Sequence, residues 1–147
     1  MDERRARLRA AYEATDYGVD ESPRGRFLIR CGSRSADVDA LLDAAGADAW
    51  AYVTACNPCS VPLSATENGE RMTRLAAVVR DRGLVHFAGT GTGTGTGGGW
   101  PPEPSLLVLG LAEADAVALG RSFGQLAVVV GRRGGPARLA WIDPEAD

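Results

Sequence analysis

The chemistry available to this chain rests on a small set of polar residues in constrained places. Glu103 lies between Pro102 and Pro104, in a stiff extended segment that suits a positioned carboxylate. Glu67 follows Ser64 by three residues, the spacing of a helix-capping pair, and supplies a second carboxylate for acid–base work. Asn57 and Gln125 carry amides that both donate and accept, and Arg121 carries a guanidinium. Glu103 and Glu67 are the candidate catalytic residues, and Asn57, Ser60, Asn68, Trp100, Arg121 and Gln125 the candidate ligand-binding residues. Together they suit recognition of a small polar molecule or a base edge.

Cys56-Asn57-Pro58-Cys59 offers a different chemistry, since a C-x-P-C turn between strand and helix is a layout used for thiol redox work. That chemistry needs the first thiol on the first helical turn, where the helix end favours the thiolate. Pro62 and the capping pair at Ser64 start the helix several residues after Cys59, so two small turn residues are the simpler reading. A zinc site from Cys31, Cys56, Cys59 and the single histidine, His86, lacks a second close-spaced pair of ligands. No metal is expected, and the residues leave the cofactor open. The glycines at 93, 95 and 98 fit G-x-G-x-x-G, but Trp-Pro-Pro follows where a dinucleotide-binding helix would open.

The elements that would position these residues alternate along the chain. Residues 2 to 14 read as a short helix, Tyr17 to Val19 as the start of a strand, and Arg26 to Cys31 as another strand. Ser35 caps a helix bearing Val38, Leu41, Leu42 and Ala45, which Gly46 ends. The apolar strand Ala49 to Thr54 runs through a polar turn into the helix opened by Ser64. Met72, Leu75, Ala76 and Val79 form its buried stripe, and Gly83 stops it. Leu84 to Ala88 is a strand, and Gly89 to Gly99 reads as a flexible loop of glycine and threonine. Ser105 to Leu111 is a fully apolar strand, Glu113 to Phe123 a helix closed by Gly124, Leu126 to Val130 a buried strand, and Arg138 to Ile142 an edge strand. The expected fold is α/β or α+β: one small domain over residues 1 to 147, with helices packed on a mixed sheet. If strands 49–54 and 84–88 run parallel and strand 105–111 returns antiparallel, Asn57, Glu103 and Gln125 share one sheet edge.

Bulk properties narrow the classes further. The chain has 147 residues and a formal net charge of −3, which argues against a broad nucleic-acid-binding face. Arg4, Arg5, Arg7 and Arg9 cluster, but Asp2, Glu3 and Glu13 accompany them, as on a solvated helix face. No stretch approaches the roughly 20 apolar residues of a membrane span. The N-terminus lacks a signal-peptide apolar segment. Three cysteines, an odd number, fit a reducing compartment, so a cytoplasmic location is expected.

Tyr12, Thr15 and Tyr17, then TACNPCSVPLSATEN at 54 to 68, WPPEPSLLVLG at 100 to 110 and LGRSFGQLAVVVG at 119 to 131 carry a resemblance. In these blocks the chain resembles the bacterial domain-of-unknown-function family numbered 3293 (DUF3293), from about residue 12 to residue 142. The resemblance implies a small standalone bacterial domain and no assigned mechanism. Asn57, Ser60, Glu67, Asn68, Trp100, Glu103, Arg121 and Gln125 match its pattern, whereas Cys56, Cys59 and the glycine–threonine repeat do not. Three functional classes follow: a small-molecule or nucleotide-related enzyme or ligand-binding protein with a polar cleft at one sheet edge, a non-catalytic interaction or regulatory module, and a thiol redox protein.

Overall fold

The computed structural model describes residues 3–93 and 102–142. It contains helix α1 (Glu3–Glu13), strands β1 (Thr15–Val19) and β2 (Phe27–Ile29), helix α2 (Ala36–Ala45) and strand β3 (Ala49–Val53). A short 3-10 turn, Pro58–Ser60, precedes helix α3 (Ala65–Asp81) and strand β4 (His86–Gly93). Strand β5 (Glu103–Leu109), helix α4 (Glu113–Ser122) and strands β6 (Ala127–Arg132) and β7 (Arg138–Trp141) complete it.

Local chemistry explains the helix ends. Ser35 accepts the Val38 N–H and opens α2, and Gly46 closes it in the left-handed region at φ 67°. Ser64 and Glu67 form a reciprocal capping box at the start of α3.

Among the described residues the strands form one sheet in the order β2-β1-β4-β5-β3-β6-β7. Helices pack on a single sheet, as the sequence predicts, but the sheet is antiparallel at every pair of neighbouring strands and not the mixed sheet expected. The expected parallel relation is present between β3 and β4, which are separated by β5 and both run antiparallel to it. Residues 49 to 132 thus trace a β-α-β-β-α-β path in which each crossover helix skips one strand, the split pattern of ferredoxin-like units. β1 and β2 extend one edge of this unit and β7 the other.

Period-2 alternation divides the core between the two faces. Ala51 and Val53 of β3, Val108 of β5 and Val128 and Val130 of β6 pack with Leu75 and Val79 of α3 and Leu119 of α4. Trp50, Tyr52, Leu107, Leu109 and Val129 face the other way, toward Val38, Leu41 and Leu42 of α2. Both faces are covered, which is why β3 and β5 read as nearly continuous apolar runs. Gly131 lies opposite Trp50 in the register, and a Cβ there would come within 2.5 Å of the indole. The sheet also curls: Cys31 and Arg34, after β2, bridge to Ala137 and Pro136, before β7.

The glycine–threonine tract departs from the expected loop. Gly89 to Gly93 continue β4, paired with β1 on one side and, through Gly91, with β5 on the other. Thr90 and Thr92 alternate with Gly89, Gly91 and Gly93, so within the strand the glycines share one face. Gly89 is required by close approach, since a Cβ would lie 2.1 Å from the Gly18 carbonyl oxygen. The rest of the tract and Trp100 lie outside the described residues.

Candidate functional site

Sheet curl and the bare glycine face of β4 leave a cleft of about 80 Å³ on the face opposite α3 and α4. Tyr17, Tyr52 and Leu139 line its apolar part, and Asn57, Glu103 and Gln125 its polar part. Gly91 and Gly93 contribute no side chains, so the space beside β4 stays open. Tyr12 of α1 reaches over this end of the sheet, where its hydroxyl bonds Ser60 and its ring meets Trp141.

Asn57 is the pivot of the polar side. Its backbone is left-handed at φ 47°, a conformation asparagine tolerates better than most residues. Asn68 accepts the Asn57 backbone N–H at 2.9 Å and donates to the Asn57 Oδ1 at 2.9 Å. The Leu63 N–H donates to the same oxygen at 2.9 Å. With Oδ1 so occupied, the Asn57 Nδ2 is turned outward and donates to Glu103 Oε2 at 2.9 Å. Cys59 and Ser60 also have positive φ, at 55° and 61°, so this turn concentrates backbone strain beside the cleft.

Glu103 opens β5, where the turn after β3 meets it because the two strands are antiparallel neighbours. Burial raises its carboxyl above the ordinary carboxylate range, and the hydrogen bond from Asn57 offsets part of that rise. Burial likewise pushes the Tyr17 and Tyr52 phenols up, so both are neutral donors. Gln125 follows the left-handed Gly124 and donates to the Cys56 carbonyl at 2.9 Å, tying the end of α4 to the turn after β3.

The sequence-derived candidates divide into three groups. Asn57, Ser60, Glu103 and Gln125 line the cleft together, so the predicted convergence on one sheet edge is found. Asn68 stands behind Asn57 and orients it without lining the space. Glu67 and Arg121 do not line it: Glu67 is exposed and accepts from the Ser64 backbone and hydroxyl, and Arg121 is exposed on α4. At that place Glu67 completes the capping box of α3 with Ser64.

Arg71 of α3 supports the site from behind. It donates through Nε to the Ala55 carbonyl at 2.5 Å and through Nη2 to the Phe123 carbonyl, clamping two loops behind the cleft. Sequence reasoning about the site missed Tyr52 and Thr54, because they read as ordinary strand residues. Their signal lies in register, with Tyr52 opposite Leu107 and Thr54 bonded to the Pro104 carbonyl at 2.7 Å.

All three cysteines are free, Cys56 buried and Cys59 exposed. Burial raises the Cys56 thiol, the opposite of what a redox nucleophile needs. Among the described residues, no group of three or more His, Cys, Asp or Glu side chains is arranged to hold a metal ion. None of their helices is long and apolar enough to cross a membrane.

Fold and cleft define a small α/β domain with one antiparallel sheet and a carboxyl-bearing cleft at one end of it. The chain belongs to the family described as "Protein of unknown function (DUF3293)", whose model matches residues 53–128, just over half of the sequence. That span holds Asn57, Glu103 and Gln125, while Tyr12, Thr15, Tyr17, Tyr52, Val129 and Leu139 complete the cleft from outside it. No curated protein and no solved structure matches the chain.

Proposed function

We propose that this protein binds a small polar molecule in the cleft, with Glu103, Asn57 and Gln125 as its polar contacts. The observation that carries this reading is the Glu103 carboxyl, held at 2.9 Å by an amide whose oxygen accepts two hydrogen bonds and whose own backbone N–H donates a third. A part-buried carboxyl is held in one orientation by such support, which places it for a ligand. A membrane or nucleic-acid partner is not part of the reading, and three free thiols favour a cytoplasmic location.

The test is a metabolite library screened by ligand-observed NMR against the wild type and Gly91→Val. A Cβ at Gly91 meets only ordinary contacts at 3.8 Å and beyond, so side-chain bulk can enter the cleft there. Molecules that bind the wild type should lose contact with the variant. A library without a binder, or binding indifferent to Gly91→Val, overturns the reading.

A second reading, acid–base catalysis by Glu103, is favoured by its raised pKa. A carboxyl protonated nearer neutrality is suited to act as a general acid. Conversion of a bound molecule by the wild type but not by Glu103→Gln would support it. Unchanged turnover in that variant would exclude it.

A further inference from the structure

The hydrogen-bond donors around the cleft are largely committed to the protein itself. Thr15 Oγ1 donates to the Ala11 carbonyl at 2.8 Å, Tyr52 to Gly18 at 2.7 Å, Thr54 to Pro104 at 2.7 Å and Ser105 to Glu103 at 3.1 Å. The Tyr17 hydroxyl donates to the Tyr12 carbonyl. The Gln125 amide spends its N–H groups on Cys56 and Phe123, at 2.9 and 3.4 Å. Acceptors are in surplus by contrast. Among the described residues the Glu103 carboxylate accepts only from Asn57, and the Gln125 Oε1 accepts from none.

Charge points the same way. No Arg, Lys or His is among the described residues lining the cleft. The nearby Arg71 is held by the Ala55 and Phe123 carbonyls. An anionic ligand would meet a carboxylate without a cation to offset it. Tyr17 and Tyr52, packed edge to face at 5.2 Å between centroids, add aromatic walls of the kind that attract cations.

We propose that the ligand is a compact organic cation, a primary ammonium or guanidinium head seated against the Glu103 carboxylate. This rests on the cleft-binding reading above and names its ligand chemistry. Such a head brings N–H donors to a cleft rich in acceptors, and its charge adds a cation to a part-buried carboxylate that has only the Asn57 amide as partner among the described residues. The small volume, about 80 Å³, suits a head group of a few heavy atoms.

The test is calorimetric titration with matched probes: methylguanidinium against methylurea, and n-butylammonium against 1-butanol and butyrate. Each cation should bind at least tenfold more tightly than its neutral or anionic counterpart, and Glu103→Gln should remove at least that advantage. A second measurement does not depend on how the variant folds. In the wild type, the apparent pKa of Glu103, followed by its side-chain carbon shift, should fall when methylguanidinium or n-butylammonium is added. Neutral or anionic probes that bind equally well, a cation affinity unchanged in Glu103→Gln, or a Glu103 titration unmoved by cations overturns the inference. If no cation binds while a library molecule does, the cation assignment fails and the cleft reading stands. If nothing binds in either experiment, both fail.

Discussion

At the scale of single residues, Asn57 carries two loads that substitution can separate. Asn57→Ala loses its side-chain bonds to Leu63, Asn68 and Glu103 and leaves a Cβ-bearing residue at φ 47°. Asn57→Gly loses the same bonds but relieves the backbone. Urea unfolding should show a loss of about 2–4 kcal/mol for alanine and about 1 kcal/mol less for glycine, from the usual costs of several broken part-buried hydrogen bonds and of left-handed backbone. Equal losses would mean that the backbone strain is absent. Glu103 makes a pH-dependent prediction. Its folded pKa is raised, so the fold favours the protonated form, and stability declines as pH rises from about 4.3, the ordinary Glu value, through the folded value. Glu103→Gln should remove that decline, as thermal melts across the window would show. A decline of the same size in the variant would place its source elsewhere.

At the scale of elements, β4 and its glycines decide whether the cleft exists. Gly89 and Gly91 are two residues apart on one strand, yet their surroundings differ. Gly89→Ala drives a Cβ to 2.1 Å from the Gly18 backbone oxygen, which β1 can relieve only by moving. Gly91→Ala meets nothing closer than 3.8 Å. The first should cost about 2–4 kcal/mol, on the scale of overpacking and lost strand pairing. The second should be neutral or stabilising by up to about 1 kcal/mol, since alanine lowers the entropy of the unfolded chain. Denaturant midpoints for the two variants check this, and equal midpoints would contradict the β1–β4 register. The alternation of threonine and glycine also has a functional consequence. A strand with side chains on its cleft face would fill the space that Gly91 and Gly93 leave beside Glu103.

At the scale of the whole molecule, protection from unfolding should follow the depth of the sheet. β3 and β5 lie in its middle, with packed residues on both faces, whereas none of the described side chains of α1 is fully buried. Hydrogen exchange should therefore be slowest in Trp50 to Val53 and Leu106 to Leu109, near the global unfolding free energy, and fastest in α1. Because Tyr12 ties α1 to Ser60 at the cleft, a bound molecule should slow α1 more than β3. Faster exchange in β3 than in α1 would contradict the core assignment.

Much of this protein was legible in its residues because the forces involved are local. The capping box of Ser64 and Glu67, the left-handed stops at Gly46 and Gly83, and the apolar strands around Trp50 and Leu107 follow from spacing and backbone preference alone. The meeting of Asn57, Glu103 and Gln125 was legible too, given strand directions, because turns at the same ends of neighbouring strands must share an edge. What only the tertiary structure decided depends on contacts between segments far apart in the chain. Pairing with β1 and β5 makes Gly89 to Gly93 a strand, although repeated glycine by itself reads as a loop. Register brings Tyr52 and Thr54 to the cleft, and helix phase leaves Glu67 and Arg121 outside it. Burial, which a sequence does not state residue by residue, raises the Glu103 carboxyl and leaves the exposed Glu67 to its cap.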